Sequence, residues 1–339
     1  MSWKPEIEEL RERERLAQAM GGPEKVKRQR DGGKLTVRER IQRLLDPGSF
    51  HEIGAIAGRA QYDEEGRLVE FVPANFVVGR GTIAARPVVV GGDDFTVRGG
   101  AADAAIYQKQ VIGEQFAHEM RLPLVRLVDG TGGGGSVKTL ETTGRTYVPA
   151  NPGWDWVVAN LSTVPVVALG LGSVAGLGAA RLVTSHYSLM VQGISQMFIA
   201  GPPVVAHIGI QVTKEELGDS AIHARAGAID DVCESEEEAF ARARRFLSYL
   251  PPSVYELPPR IEPSDDPNRR DDWLIEAIPR DRRKIYNIRK ILDAVLDRGS
   301  FFEIGRQFGG SIVTGLARLD GWPVAVMASN PQIYGGRLD

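Results

Sequence analysis

Two glycine-rich stretches hold the residues whose types and spacing could do chemistry. The first, Asp129-Gly130-Thr131-Gly132-Gly133-Gly134-Gly135-Ser136, ends an apolar run at residues 122–128. The second, Gly170-Leu171-Gly172-Ser173-Val174-Ala175-Gly176-Leu177-Gly178-Ala179-Ala180, follows an apolar run at residues 165–169. Each run reads as a fully buried strand that turns through glycines, and the second turn opens into a small-residue helix. A turn of this kind aims unpaired backbone N–H groups at whatever lies above it, which makes an anion site. Glycine and alanine also allow a helix to pack closely on a sheet with no ligand present, so one turn alone leaves both readings open.

Several specific chemistries fail on spacing. Gly130 to Gly135 and Gly170 to Ala175 match the dinucleotide fingerprint of spaced glycines, but residues 146–152 do not form the strand, with an acidic end, that such a site needs. Residues 132–139 approach a phosphate loop, yet Val137 stands where glycine must precede Lys138. Ser136 and Ser173 lack the flanking glycines of a nucleophile elbow. The five histidines share no ligand spacing, and Cys233 is the only cysteine, so neither a metal site nor an internal disulfide is expected. What remains is backbone chemistry: two glycine turns at adjacent strand ends can aim one N–H each at a single oxygen. That is an oxyanion hole, suited to reactions through an enolate.

Composition narrows the partners. The 339 residues carry 41 Lys+Arg against 44 Asp+Glu, a net charge of −3, with both signs spread along the chain. Such a balance offers no broad electrostatic footprint for nucleic acid or an anionic membrane. No apolar run approaches the roughly 18 to 20 residues of a spanning helix, and no secretion signal stands at the start, so a cytoplasmic setting is expected.

The elements that must position the turns can be read in order. Residues 6–20 alternate Glu and Arg around Ile7, Leu10 and Leu16, as in a solvated helix docked by a narrow stripe. The basic cluster Lys25, Lys27, Arg28, Arg30 and Lys34 follows; it could meet phosphates or simply face solvent. Thr36-Val37-Arg38-Glu39 is a capping box that starts a helix ending at Asp46-Pro47-Gly48-Ser49. Residues 75–81 and 87–90 read as an antiparallel hairpin, followed by Asp94-Phe95-Thr96-Val97-Arg98-Gly99-Gly100 and a helix reaching Met120. From about residue 88 to 192 strands and helices alternate in the manner of parallel β-α-β units, whose carboxyl edge is where ligands bind. A helix at residues 235–250 and a proline- and charge-rich linker at residues 251–270 close this unit.

An internal repeat follows. Leu45-Asp46-Pro47-Gly48-Ser49-Phe50-His51-Glu52-Ile53-Gly54 recurs as Leu296-Asp297-Arg298-Gly299-Ser300-Phe301-Phe302-Glu303-Ile304-Gly305, each preceded by a helix and followed by a hairpin. The second copy stops before any counterpart of the glycine turns, so the chain is expected to be part of a longer subunit. The expected division is an N-terminal helical extension at 1–33, a first domain at 34–258, a linker at 259–280 and the start of a second domain at 281–339.

These residues resemble a known family. The capping-box helix with Leu45-Asp46-Pro47-Gly48-Ser49-Phe50, the segment Asp94-Phe95-Thr96-Val97-Arg98-Gly99-Gly100, Met197-Phe198-Ile199-Ala200-Gly201-Pro202 and Glu215-Glu216-Leu217-Gly218 look like the carboxyltransferase (β) subunits of biotin-dependent acyl-CoA carboxylases, crotonase-superfamily proteins. The resemblance implies an α/β crotonase-like fold, a ββα superhelix in two tandem copies, and a ring-shaped homo-hexamer. It implies an acyl-CoA substrate on the first copy and biotin carried by a biotin carboxylase or biotin carboxyl carrier partner, with no metal in this subunit. Carried over to this chain, Gly176 and Leu177 with Gly132 or Gly133 supply the oxyanion hole, and Arg98, Gly99, Gly100, Ser173 and Gly178 lie along the acyl-CoA. Two departures stand out. Leu177 replaces a glycine of the family's Ala-Gly-Gly-Ala and narrows the acyl pocket, and the loop after Asp129 lacks the family's arginine. The alternatives are a biotin-independent CoA-thioester enzyme, such as a hydratase or decarboxylase, and a non-catalytic assembly subunit.

Overall fold

Where the sequence alternates apolar runs with helix patterns, the chain builds a seven-stranded sheet. The computed structural model describes residues 2–100, 107–130, 144, 153–263, 265, 266, 268–281 and 283–337. Strands β1 (His51–Glu52), β2 (Gly58–Tyr62), β3 (Leu68–Pro73), β4 (Phe76–Ile83), β5 (Arg86–Asp93), β6 (Leu124–Val128), β7 (Val166–Gly170), β8 (Ser173–Ala175), β9 (Tyr187–Val191), β10 (Gln196–Phe198) and β11 (Asp231–Cys233) make up the first repeat. The main sheet runs β1-β4-β5-β6-β7-β9-β11. The hairpin β4–β5 is antiparallel, while β5, β6, β7, β9 and β11 are mutually parallel.

Parallel strands are covered on both faces, which is why they read as unbroken apolar runs rather than alternating ones. On one face Val125, Leu127, Val167, Leu169 and Leu189 pack against Ile41 and Leu44 of the helix Val37–Leu44 and against Phe240, Ala243 and Leu247 of the helix Glu236–Ser248. The opposite face divides in two. Leu124 and Val166 meet Ala117 of the helix Tyr107–Met120, and Ala168 and Met190 meet Ala179 and Leu182 of the helix Leu177–Val183. Burial of each large aliphatic side chain stabilises the fold by about 1.5–3 kcal/mol. The register sets Val128 beside Gly170 and Gly170 beside Met190, so the strands leading into both glycine turns end side by side.

Local signals read from the sequence are realised. Thr36 and Glu39 form the reciprocal cap, the Thr36 N–H donating to Glu39 at 2.8 Å and the Glu39 N–H to Thr36 Oγ1 at 3.3 Å. Asp46 closes the hairpin from below, accepting from Thr82 Oγ1 at 2.6 Å and from the Ala84 and Ala85 N–H groups. Three features carry no sequence signal of their own. The hairpin β2–β3 stands off the main sheet, β8 is a three-residue strand inside the second glycine turn, and its parallel partner β10 is equally short. Three residues are too few to show a period.

The repeat is structural as well as sequential. The helix Ile288–Val295 precedes β12 (Phe302–Ile304), β13 (Ile312–Leu319) and β14 (Trp322–Ser329). Glu303 pairs with Gly315 as Glu52 pairs with Gly79. Asp297 accepts from the Asp320 and Gly321 N–H groups, as Asp46 does from Ala84 and Ala85. The correspondence reaches one loop beyond the hairpin where the sequence reading stopped: Arg98-Gly99-Gly100 has φ values of 54, 64 and 67°, and Tyr334-Gly335-Gly336 has 46, 67 and 75°. Phe302 joins the second copy to the first, packing among Tyr187, Phe246 and Tyr249.

Candidate functional site

The first turn leaves β6 through Asp129, which is fully buried, and enters Gly130 at φ 148°. Gly130 is held from two sides. Its carbonyl accepts the Ala175 N–H at 3.1 Å, and its Cα lies so close to Gly100 that a Cβ on either residue would meet the other's backbone at 3.1–3.2 Å. The Arg98 loop and both glycine turns therefore meet at one point.

The second turn is fixed by its own short strand pair. Leu171 donates its N–H to the Val128 carbonyl at 2.9 Å, and Gly172 passes directly over the Asp129 carboxylate. Ser173 to Ala175 then pairs in parallel with Gln196 to Phe198, and Ser173 Oγ donates to Gln196 Oε1 at 2.9 Å. Gly176 takes φ 58° and ψ −120°, a conformation closed to residues with a Cβ, and turns the chain into the helix Leu177–Val183.

This geometry corrects one expectation. The Gly176 N–H donates to the Phe198 carbonyl at 3.1 Å and is not directed outward. The first helical acceptor bond is Ala180 N–H to the Gly176 carbonyl, so the N–H groups of Leu177, Gly178 and Ala179 have no acceptor within the helix. Leu177 is half-buried and Gly178 buried. Arg98 is exposed at the rim, with Gly99 and Gly100 behind it. Gly132 and Gly133 lie outside the described residues.

Beneath the turns lies a buried charge network that sequence reasoning missed. Arg40 is fully buried; Nη1 donates to Asp129 Oδ2 at 2.9 Å, Nη2 to the Leu171 carbonyl at 2.7 Å, and Nε to Glu236 Oε2 at 2.8 Å. Burial works against its charge, but the two carboxylates outweigh that and raise its pKa. Gln29 Nε2 and Lys34 Nζ also donate to Asp129, at 3.1 and 3.2 Å. A signal was present: Val37, Arg40, Ile41 and Leu44 recur at helical spacing, which puts the arginine on the apolar stripe. Asp93 lies alongside, its carboxylate accepting the Asp129 N–H at 3.1 Å, and burial pushes its pKa up to about 6.

A helical layer on each face of a mostly parallel sheet, with a glycine turn beyond β7 that opens into a short helix, is the crotonase-like architecture. The carboxyl transferase domain family matches residues 28–339, and the chain belongs to it. The propionyl-CoA carboxylase carboxyltransferase subunit of Haloferax mediterranei is 34 % identical over 343 residues, covering 100 % of this chain and 65 % of that protein. The methylmalonyl-CoA carboxyltransferase 12S subunit of Propionibacterium freudenreichii is 32 % identical, covering 98 % and 63 %. A solved structure of transcarboxylase 12S, described as a hexamer with hydrolysed methylmalonyl-coenzyme A bound, superposes with a TM-score of 0.85 at 31 % identity, covering 100 % of this chain and 66 % of that one. The chain thus spans just under two thirds of the length of the curated relatives it matches. No helix among the described residues is long and apolar enough to cross a membrane.

Proposed function

We propose that this chain is the acyl-CoA-binding part of a carboxyltransferase that moves CO2 between carboxybiotin and the α carbon of an acyl-CoA. The observation that carries this reading is the Leu177 N–H, which has no acceptor within its helix and stands where Gly130, Ala175 and Gly176 fix the turn. That donor set suits an anionic oxygen. Carboxybiotin, brought by a biotin carboxyl carrier, supplies the CO2 and the base for the α-proton. The chain's own task is to bind the thioester and stabilise its enolate oxygen, with Leu177 as one donor and Gly132 or Gly133 as the other. A preorganised donor of this type lowers the barrier by roughly 3–4 kcal/mol where water is excluded. The fixed turn also holds the α carbon in line for attack.

The Leu177 side chain restricts the acyl group to a narrow one. Assembly as a hexamer follows the transcarboxylase 12S structure, partnership with a biotin carboxylase follows from the need for carboxybiotin, and the buried Cys233, with its thiol pushed up to about 12 by burial, suits a reducing cytoplasm. A relative from Veillonella parvula at 30 % identity is a methylmalonyl-CoA decarboxylase subunit alpha, which supports a second direction: the same enolate hole removing a carboxyl group from an acyl-CoA. The experiment supplies the full-length gene product with its biotin carrier, ATP, labelled bicarbonate and a panel of acyl-CoAs, then runs carboxylated acyl-CoAs in reverse. Absence of transfer in both directions would sink the proposal.

A further inference from the structure

The central residue of β6 is an arginine in a strand that is buried throughout, Leu124-Val125-Arg126-Leu127-Val128. Alternation along the strand sends Leu124, Arg126 and Val128 to one face, where Leu124 belongs to one apolar cluster and Val128 to the other. Arg126 therefore stands at the division between the two clusters, only 2 % exposed. Cohesion does not call for an arginine there, because exchanging a buried ion pair for well-packed apolar side chains is often neutral or stabilising. What the arginine adds is direction.

Its guanidinium is used on every edge. Nε and Nη2 donate to the two Glu114 oxygens at 2.8 and 2.9 Å, and Nη1 donates to the Arg181 and Thr184 carbonyls at 3.0 and 2.5 Å. Those carbonyls end the helix Leu177–Val183, where the helix itself supplies no donors and where a cation complements the dipole. Glu114, on the helix Tyr107–Met120, holds the same end a second time by accepting from Arg181 Nη2 at 2.9 Å. Asn160 Nδ2 fixes Glu114 in turn, donating at 3.1 Å. Burial works against both charges. At Glu114 the two guanidiniums outweigh it and hold the carboxyl below the usual range; at Arg126, which shares that single carboxylate with Arg181, burial prevails and lowers the pKa.

The helix Leu177–Val183 is thus tied at both ends. At its start the Gly176 N–H donates to the Phe198 carbonyl at 3.1 Å, and at its end stands the Arg126 fork. Between them Ala179 and Leu182 pack on Ala168 and Met190, apolar contacts that have no direction along the axis. Seven residues of helix span about 10 Å, so a displacement at Thr184 is carried to Leu177.

We propose that Arg126 and Glu114 are positioning residues, which set the axial position of the helix Leu177–Val183 and with it the place of the Leu177 N–H against the reacting oxygen. The inference rests on the reading of that N–H as a donor to a thioester enolate. Neither side chain touches the substrate; both act through the far end of the helix.

Two variants of the full chain test it. Arg126→Lys keeps the charge and loses the fork. E114L/R126M/R181M exchanges the whole network for apolar side chains and melts close to wild type. In both, kcat for carboxyl transfer falls by about ten- to a hundredfold while KM for acyl-CoA stays within about twofold, because the donor acts in the transition state. Amide hydrogen exchange supplies a readout independent of turnover: Ala180 and Thr184 lose protection by about tenfold or more, while β6 and β9 keep theirs. Wild-type kcat in either folded variant overturns the proposal, as does a raised KM with kcat unchanged. Protection lost evenly from the helix, β6 and β9 marks a purely structural role and also overturns it. Protection lost from Ala180 and Thr184 alone, in a chain whose wild type transfers no carboxyl group, retires the carboxyltransferase reading and leaves the tie on the helix standing.

Discussion

Arg40 reaches Asp129 with one terminal nitrogen and the Leu171 carbonyl with the other, at 2.9 and 2.7 Å. One guanidinium therefore ties the end of β6 to the start of the second glycine turn, and it does so where no water competes. Replacing it with an apolar residue leaves Asp129 and Glu236 buried without their main cation. Arg40→Met is expected to cost about 3–5 kcal/mol of stability, the range for breaking a buried ion pair from one side. Denaturant unfolding of the variant measures this, and a loss below about 1 kcal/mol would show that Lys34 and Gln29 suffice for Asp129.

Gly172 and Asp129 form the second contact between the turns. A Cβ on residue 172 would sit 1.9 Å from Asp129 Oδ1, and that carboxylate is pinned by Arg40, Gln29 and Lys34, so it cannot swing aside. Gly172→Ala must displace the turn instead. The expected cost is about 1–3 kcal/mol of stability. Transfer activity should fall further than stability alone explains, because the Leu177 N–H moves with the turn. Kinetics below the variant's melting transition separate the two effects.

Leu177 bears on substrate choice. Its N–H is the proposed donor, and its side chain is half-buried, which the proposed function sets beside the acyl group. Leu177→Ala keeps the donor and removes the bulk. Longer or branched acyl-CoAs should then gain in kcat/KM relative to the native substrate by about tenfold or more, since each methylene in such a pocket is worth roughly 1–3 kcal/mol. An unchanged ranking of acyl-CoAs would place the pocket wall elsewhere.

How much of this could be read beforehand differs from element to element. The hairpin β4–β5, the parallel strands and the capping box were legible because each is specified by local periodicity or by residues three apart. The pair β8–β10 was not, since three residues show no period and their pairing partner lies 23 positions away. The candidate site was half legible. Glycine spacing located both turns, but the orientation of each N–H depends on tertiary partners, and the Phe198 carbonyl that takes the Gly176 N–H has no sequence mark. The helical stripe places Arg40 on the buried face, but its partners Asp129 and Glu236 are 89 and 196 residues away, so the network itself has no local mark.

Asp93 gives the site a pH dependence whose sign can be worked out. Burial is the main cause that raises its pKa from 3.8 to about 6. The folded chain therefore holds this proton more tightly than the unfolded chain. Its stabilising contribution is full below about pH 4, fades as pH rises towards 6 and is absent above, amounting to about 3 kcal/mol for a shift of about two units. Asp93→Asn keeps an oxygen for the Asp129 N–H and lacks the titration. Between pH 4 and 7 the variant should gain about that much stability relative to wild type, read from paired unfolding curves. A constant difference across that range would assign Asp93 the same pKa in both states.

Phe302 is the aromatic centre of the join between the two repeats, flanked by hydrogen bonds from Arg245 to the Gly299 and Phe301 carbonyls. Its ring lies 5.5 Å from Tyr187, 6.2 Å from Tyr249 and 6.5 Å from Phe246, and the Arg242 guanidinium stands 4.9 Å above it. Tyr187 is itself held in place, donating to Asp231 Oδ2 at 2.7 Å and accepting from Arg242 Nε at 2.8 Å. Tyr187, Arg242 and Tyr249, whose hydroxyl donates to the Ser300 carbonyl, are thus fixed by hydrogen bonds and resist collapse into a vacated space. Phe302→Ala should cost about 3–5 kcal/mol, at the level of other large-to-small core substitutions. Because the ring is shared by both repeats, the loss should also uncouple them, and hydrogen exchange would detect this as protection lost in β13 before β6. Uniform loss of protection across both sheets would mean that the two repeats unfold as one unit even without the ring.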